Sequence, residues 1–359
     1  MHRKGWRGPQ LVKLCKEESL DIETGGPALY SGEGSKQLYE SIVKPMEKNL
    51  HRGDNVYFTP AGSIFFINIA ALTNESGEVL GEVYHFHRLS SLREYSSKEE
   101  RISHADWLLF GGIDYLADPE LMFSSVRMLH LHNNEHLYRD IVPEKPTDEL
   151  SFGIAEDGTR AGYTNLQHSR GEIKDLWALR DFGLVFFTGF KACEEEFRFR
   201  VRASTPYIVL LSTHSFTYGN KRDEMACGLL FSGAGHTIEG KELPHNLNDG
   251  ILYAQEIETL EMDAASMVVL AACNTGLGTV TQDGIKGLQS AFKKAGARTL
   301  VLTLWSVNDR ATAAFTKYLF TYLNNGKTKR VAFELAIKDM RNSREFRDPV
   351  YWAPFIMLD

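Results

Sequence analysis

Short apolar runs rich in β-branched residues recur through the second half of the chain. They cover residues 184–189, 207–213, 225–231, 267–272 and 299–305. Runs of this length without polar alternation predict strands that are buried on both faces of a sheet. Helical spacing of apolar residues predicts helices between and after them, at 169–179, 193–201, 254–260, 284–295, 309–323 and 331–342. Strands that alternate with helices predict a mostly parallel α/β sheet covered by helices on both faces.

The first half of the chain has a weaker pattern. Residues 1–35 are rich in glycine and predict an extension and linker. A helix is expected to follow, with Ser35 as its N-cap. Three further runs predict strands, at 56–59, 82–89 and 105–112, the last ending in a glycine turn, and the polar residues 116–160 predict a long insertion.

These patterns divide the chain into three parts. We expect an extension over 1–35, a smaller α/β N-terminal half over 36–150 and the larger, more regular half over 151–359. A length of 359 residues allows one large or two modest domains.

Composition narrows the class of protein. The chain is 43% hydrophobic and 24% charged, which excludes a disordered or fibrous protein. A net charge of −7 without a basic cluster argues against nucleic acid as a partner. No window approaches the ~18 consecutive apolar residues of a membrane span, and the basic N-terminus is not followed by the apolar stretch of a secretory signal. We therefore expect neither membrane insertion nor secretion.

Cysteine and histidine usage predicts no metal site. The cysteines are scattered and form no C-x-x-C pair, which is typical of a reduced, cytoplasmic protein: Cys15, Cys193, Cys227 and Cys273. The nearest approach to a ligand set is formed by five histidines: His85, His87, His130, His132 and His136. Alternating histidines of this kind more often lie on one solvated face of a strand than around zinc.

Candidate chemistry lies where two of the apolar runs end. His214 follows one run and Cys273 follows another, 59 residues later. Carboxyl ends of parallel strands meet at one edge of a sheet, so adjacent strands would bring the imidazole to the thiol. A thiolate can attack a peptide carbonyl while imidazole protonates the leaving amine. Glycines at 276 and 278 would let the chain turn, so that the backbone amides of Ser215 and Cys273 could bind the oxyanion.

Each residue also has a simpler interpretation. A cysteine at a strand end is usually a small core residue, and a histidine there is usually a hydrogen-bonding group. Order and spacing favour the catalytic interpretation, because caspases also place a histidine ~50 residues upstream of an Ala-Cys-x-Gly segment.

Several motifs in one order resemble the CHAT domain, a bacterial branch of the caspase, metacaspase and separase group. The matching segments, which extend from about residue 35 to 359, are Pro60-Ala61-Gly62, Thr213-His214-Ser215, Ala271-Ala272-Cys273-Asn274-Thr275-Gly276, Asp283-Gly284-Ile285-Lys286-Gly287-Leu288, Ala295-Gly296-Ala297-Arg298, Leu304-Trp305-Ser306-Val307-Asn308-Asp309 with Thr312, and Pro349-Val350-Tyr351-Trp352-Ala353-Pro354-Phe355. The resemblance implies a caspase-like three-layer sandwich. It also implies a cofactor-independent cysteine peptidase that cleaves protein substrates, with His214 and Cys273 as its catalytic dyad.

The same resemblance implies a substrate groove beside the strand that follows the catalytic one. It would place Trp305, Ser306 and Val307 next to a bound peptide. Separases hold a basic P1 side chain with an acidic residue, for which Asp309 is the nearest candidate. Asp309 can equally cap the helix that begins at Arg310, and we favour the cap.

Two positions depart from the pattern of the group. Ser215 stands where these proteins usually have glycine, and its Cβ restricts the backbone that presents the oxyanion amide. Ala271 stands where metacaspases have an aspartate. Without that acid the sequence gives no firm basis for cleavage after arginine or lysine, and a neutral or apolar P1 side chain is an open alternative.

The resemblance also suggests partners. Relatives act in bacterial defence and programmed death, some by cleaving a pore-forming protein, which makes such an effector one candidate substrate. CHAT domains often follow helical repeats, and none is visible here. We expect either that the chain is a fragment or short form, or that its activator is a separate protein. The first hypothesis is a regulated endopeptidase. The alternatives are an inactive CHAT module that binds a partner and a different cysteine hydrolase on a similar sheet.

Overall fold

The computed structural model describes most of the chain, with gaps. It covers residues 2, 7–16, 20, 26–30, 32–95, 102, 105–133, 166, 168–180, 182–202, 205, 207–218, 226–245, 247–272, 279–281 and 284–359. The strands are β1 (Asn55–Phe58), β2 (His85–Arg88), β3 (Asp106–Ile113), β4 (Leu184–Gly189), β5 (Tyr207–Leu211), β6 (Ser215–Tyr218), β7 (Ala226–Leu230), β8 (Ile251–Tyr253), β9 (Ala265–Leu270), β10 (Thr279–Thr281), β11 (Gly284–Lys286), β12 (Leu300–Thr303) and β13 (Phe355–Leu358). The α-helices are α1 (Gly32–Leu38), α2 (Lys44–Glu47), α3 (Pro119–Asn133), α4 (Ser169–Trp177), α5 (Glu194–Arg200), α6 (Ala234–Ile238), α7 (Ala254–Ile257), α8 (Leu288–Lys294), α9 (Asp309–Asn324), α10 (Lys329–Asn342) and α11 (Pro349–Trp352).

Eight strands form one sheet in the order β1-β2-β13-β12-β9-β5-β3-β4. Neighbouring strands are parallel throughout, except that β13 runs antiparallel to β12. A separate three-stranded antiparallel sheet has the order β6-β7-β8, and β10 pairs with β11 as a hairpin. The mostly parallel sheet predicted from the apolar runs is confirmed.

Helices cover both faces of the large sheet. On one face, residues such as Trp107 and Leu210 share a core with Phe315 of α9 and with side chains of α4 and α10. On the other face, Phe110 and Leu211 share a second core with side chains of α5, α7 and α8. Because successive strand residues point to opposite faces, an unbroken apolar run supplies both cores at once. The predicted three-layer α/β sandwich is therefore confirmed.

At the end of β3, where the sequence predicted a glycine turn, the strand packs closely against the beginning of α4. The strand continues through both glycines to Ile113, with an irregular register after Phe110. A Cβ at Gly111 would lie 2.7 Å from the Ser169 hydroxyl, and Gly112 has a φ of 58°. Only glycine allows α4 to begin this close to the sheet edge.

Several predicted elements have other bounds. Helix α1 begins at Gly32, so the predicted N-cap at Ser35 is wrong: this side chain is buried inside the helix and lies 2.9 Å from the Thr73 hydroxyl. The predicted helix over 284–295 begins only at Leu288, since Gly284–Lys286 pairs as a strand with Thr279–Thr281. The predicted insertion over 116–160 contains helix α3, while its residues from 134 onward lie outside the described part.

The candidate metal set does not come together in the described residues. His85 lies 3.2 Å from Glu334, whereas His87 stacks on Tyr57 and its Nε2 lies 2.9 Å from Asn55 Oδ1. Residues 130 and 132 belong to helix α3, which contradicts the strand assumed for them, and residue 136 is outside the described part. Where the structure is described, we find no cluster of three or more histidine, cysteine or acidic side chains with metal-binding geometry.

No helix in the described ranges combines the length and apolarity that crossing a bilayer requires. The N-terminal half contributes β1, β2 and β3 to the large sheet, and the C-terminal half contributes the other strands. The proposed division at residues 35 and 150 stays a prediction.

Candidate active site

Strands β5 and β9 lie side by side and run in the same direction. Leu211 pairs with Leu270, and the Ala271 amide donates a hydrogen bond of 2.9 Å to the Leu211 carbonyl. His214 follows Leu211 by three residues, and Cys273 follows Leu270 by three residues along the sequence. The expectation of adjacent parallel strands is confirmed. Cys273 itself lies outside the described residues, as do residues 274–278, so the dyad stays a prediction.

The backbone of His214 is held from two sides. Its amide donates to the Tyr115 hydroxyl at 3.2 Å, and its carbonyl accepts from the Leu230 amide at 2.9 Å. The imidazole is half-buried and lies 5.1 Å from the Tyr115 ring, measured between centroids. These contacts fix the histidine at the carboxyl edge of the sheet.

Hydrogen bonds between two hydroxyl groups support the position of the His214 backbone. The buried Thr213 hydroxyl donates to the Leu230 carbonyl and lies 3.0 Å from the Tyr115 hydroxyl. Because the Thr213 proton is used in that bond, Tyr115 donates to Thr213 and accepts from the His214 amide. Tyr115 follows the end of β3 and is buried. Sequence reasoning missed it, since its contacts join segments about a hundred residues apart.

The residue after the histidine begins a strand. Ser215 is the first residue of β6 and pairs with Leu229 of β7. An extended backbone accommodates a Cβ in any L-residue. The serine in place of glycine therefore requires no unusual conformation here, and its role as an oxyanion donor stays a prediction.

Trp305, Ser306 and Val307 follow β12, the strand next to β9. The Trp305 indole lies 5.2 Å from the Tyr30 ring, and its Nε1 donates to the Val350 carbonyl at 3.3 Å. Trp305 and Val307 are partly buried against the first core, while Ser306 is exposed. Their contact with a substrate stays a prediction.

The N-cap of α9 is Asn308 and not Asp309. The Asn308 Oδ1 accepts from the Arg310 amide at 2.9 Å. Asp309 is the first helical residue, and its carboxylate accepts from the His168 amide at 2.6 Å. The predicted cap was thus misplaced by one residue, because asparagine and aspartate are nearly equivalent as caps. Whether Asp309 binds a basic P1 side chain remains a prediction.

A buried carboxyl lies beneath the end of β5. Glu172 of α4 is 4% exposed and accepts a hydrogen bond of 2.6 Å from the Ser212 hydroxyl, two residues before His214. The Thr316 hydroxyl of α9 donates to its other oxygen. Burial raises the pKa of Glu172 to about 7, which outweighs the lowering by the two hydroxyl donors, and nearby Asp309 raises it further. No sequence motif marks this residue, which links β5, α4 and α9.

Replacing this carboxyl should change how stability depends on pH. The folded-state pKa of Glu172 is about 7, above its unfolded value, so folding favours the neutral acid and stability is lost as pH rises through that range. From pH 5 to pH 8, wild type should lose about 2–3 kcal/mol of unfolding free energy relative to Glu172→Gln. Urea unfolding of both proteins at each pH measures this difference. If the stability difference between wild type and Glu172→Gln does not depend on pH, the expectation is refuted. Thr316→Val removes a hydroxyl that donates to Glu172 and lowers its pKa, so in this variant the loss of stability should occur at higher pH.

Comparison with known proteins comes from sequence and from structure. The family model for the CHAT domain matches residues 33–358. Tetratricopeptide repeat protein 28 of mouse and that of human are each 30% identical over 112 residues, which is 31% of this chain and 4% of theirs. The chain thus corresponds to a small part of these relatives. Two solved structures are similar: the Arg-specific cysteine proteinase gingipain R (10% identity, TM-score 0.45, 91% of this chain and 66% of that one) and the complex of Porphyromonas gingivalis RgpB pro- and mature domains (9%, 0.41, 95% and 70%).

Proposed function

Because the chain belongs to the CHAT domain family, we propose that it is a cysteine endopeptidase with His214 and Cys273 as its dyad. The observation that carries the proposal is the register of β5 and β9. Leu211 is paired with Leu270, and each candidate residue follows its strand at the same distance along the chain.

The reaction proceeds through a thioester. The Cys273 thiolate attacks the scissile carbonyl carbon, and the amides of Ser215 and Cys273 bind the oxyanion that forms. When the carbon–nitrogen bond breaks, His214 gives its proton to the leaving amine. His214 then removes a proton from water, which attacks the thioester and releases the acid product and the thiolate.

Residues after β12 form one side of the substrate groove in this proposal. Trp305, Ser306 and Val307 lie along the peptide, and Asp309 is available to a basic P1 side chain. Metacaspases have an aspartate at the position of Ala271, where it would strengthen the preference for a basic P1 side chain. Because Ala271 is apolar, cleavage after a neutral P1 side chain is the competing outcome.

The cellular setting is proposed from the family alone. The chain would act in the cytoplasm on a protein substrate, of which a pore-forming effector of bacterial defence or programmed death is one candidate. A separate activator protein would control it. Neither nucleic acid nor a membrane takes part.

Selective alkylation of Cys273 tests the dyad before any substrate is known. Cys193 and Cys227 are buried, and burial raises the pKa of Cys227 to about 11, so in the folded protein Cys15 is the exposed competitor among the described cysteines. With a limiting alkylator and a Cys15→Ser background, intact mass gives the rate and peptide mass gives the site. Cysteines beside imidazolium have a pKa of ~3.5–7.5. We expect Cys273 at pH 6 to react about tenfold faster than in His214→Ala, with the gap closing near pH 9.

His51→Ala is the matched control, since this histidine is exposed and pairs with Asp54 at the far edge of the sheet. It should label like wild type. If Cys273 in wild type reacts no faster than in His214→Ala, the dyad is absent, and the groove is better explained as the protein-binding surface of an inactive CHAT module.

A further inference from the structure

A cavity of about 590 Å³ lies between helix α10 and the neighbouring strands β2 and β13 of the large sheet. This volume is within the ~300–1,000 Å³ that small-molecule sites usually occupy. Its walls are largely apolar and include Phe86 of β2, Phe333 of α10 and Met357 of β13. Exposed residues such as Arg52 and Lys338 also line it, so the cavity reaches the surface.

The charged side chains that line the cavity are mostly positive. The cations are Arg52, Arg88, Arg330, Lys338 and Arg341, and the anions are Glu82 and Glu334. Three of the cations have carboxylate partners: Arg52 pairs with Glu78, Arg341 with Glu82 and Arg330 with Asp359. The interior therefore keeps an excess of positive charge.

Arg88 is the clearest source of this excess. Its side chain is 5% exposed, and its Nη2 donates to the carbonyls of Ile64, Phe65 and Ile67. Its guanidinium lies 5.9 Å from the centre of the Phe58 ring. Within the described part of the chain no carboxylate pairs with it. A buried cation without a counter-ion is costly, and proteins usually neutralise such a charge.

Arg330 adds a second unfilled position. It is also buried, and its Nη2 pairs with the Asp359 carboxylate. Its Nε is buried and has no hydrogen-bond partner among the residues that the structure describes. Buried N–H groups nearly always have a partner, so this donor also points to a missing acceptor.

We propose that this cavity binds a small amphipathic anion, with a carboxylate-type head at the buried guanidinium groups and an aliphatic or aromatic body against the apolar walls. The head would supply the counter-ion that Arg88 lacks among the described residues. The site is independent of the proposed dyad, because Arg88 and Arg330 take no part in the reaction. Because the walls come from both the beginning and the end of the chain, the bound anion would also hold these two parts together.

Calorimetric titration of the full chain tests the charge preference. The probes share one aliphatic tail: dodecanoate and dodecyltrimethylammonium, each below its micelle concentration, and dodecanol below its solubility limit. We expect one saturable site for dodecanoate, with an affinity at least tenfold higher than for the alcohol and no binding of the cation. Absence of saturable binding, or equal affinity for all three heads, would overturn the proposal.

Variants distinguish binding in this cavity from nonspecific hydrophobic binding of the probes. Arg88→Met should remove the preference for dodecanoate over dodecanol while leaving the apolar walls in place. Should that variant fail to fold, Ile337→Trp offers a second test, because it fills the cavity from α10 and should weaken dodecanoate binding at least tenfold. Lys317→Met removes a cation outside the cavity, which pairs with Asp175, and should bind like wild type. Unchanged binding in Ile337→Trp would contradict the assignment of the ligand to this cavity.

Discussion

Replacing His214 with alanine is expected to lower kcat/KM for peptide cleavage by about 10³-fold, since a positioned acid–base group contributes ~10²–10⁴-fold. Without the imidazole, Cys273 is mainly a protonated thiol at neutral pH, and the leaving amine has no proton donor. Cys273→Ala, which removes the nucleophile, should abolish cleavage.

The substrate for this measurement comes from a proteome-derived peptide library, in which new termini are identified by mass spectrometry. Kinetics on the best-cleaved peptide then compare wild type, His214→Ala and the control His51→Ala. Cleavage in His214→Ala within tenfold of wild type would exclude the dyad. Hydrolysis of small esters or amides without cleavage of any peptide would indicate a different cysteine hydrolase.

Replacing Phe110 with alanine is expected to destabilise the protein by about 3–5 kcal/mol. Phe110 lies on β3, between β5 and the edge strand β4, and is fully buried. Its ring stacks on Phe187 at 4.8 Å and makes edge contacts with Phe197 and Phe231. The alanine would leave a cavity in the core, at which four rings from four segments meet.

Chemical unfolding measures this loss as a lower midpoint with an unchanged slope. Phe182→Ala is the matched control, because this phenylalanine is 77% exposed and should change stability by less than about 1 kcal/mol. A loss in Phe110→Ala no greater than in the control would mean that the core around β3 is looser than its packing indicates.

Much of the sheet could be predicted from the sequence because its central strands are buried on both faces. Residues 207–213 and 267–272 are predicted as strands with no knowledge of their partners. Strand β5 lies within the first range, and β9 overlaps the second but begins earlier, at Ala265. Their parallel direction, and hence the common edge for His214 and Cys273, followed from the helices between them.

The small antiparallel sheet was harder to predict. Only its strand β7 was predicted, as the run over 225–231, whereas β6 and β8 are short and have little pattern of their own. Ser215–Tyr218 becomes a strand because it pairs with β7, which is a tertiary contact.

The supporting residues of the site could not be predicted for a similar reason. Tyr115 and Glu172 act on the end of β5 from segments far away in sequence, and neither belongs to a motif. That no carboxylate in the described ranges pairs with Arg88 is likewise visible only when its surroundings are known. Local pattern identifies residues with intrinsic chemistry, and it does not identify those whose role depends on burial.

The position of β13 affects the order in which the strands of the large sheet can pair during synthesis. In the large sheet β13 lies between β2 and β12, so the early pair β1 and β2 joins the other strands only through Phe355–Leu358. On the ribosome, the first strands emerge long before their neighbour exists. Until then an edge of β2 and the apolar wall behind it stay open, which makes a nascent chain at this stage a target for chaperones. Strands β5 and β9, which precede His214 and Cys273, can pair earlier, so the sheet closes last at β1 and β2.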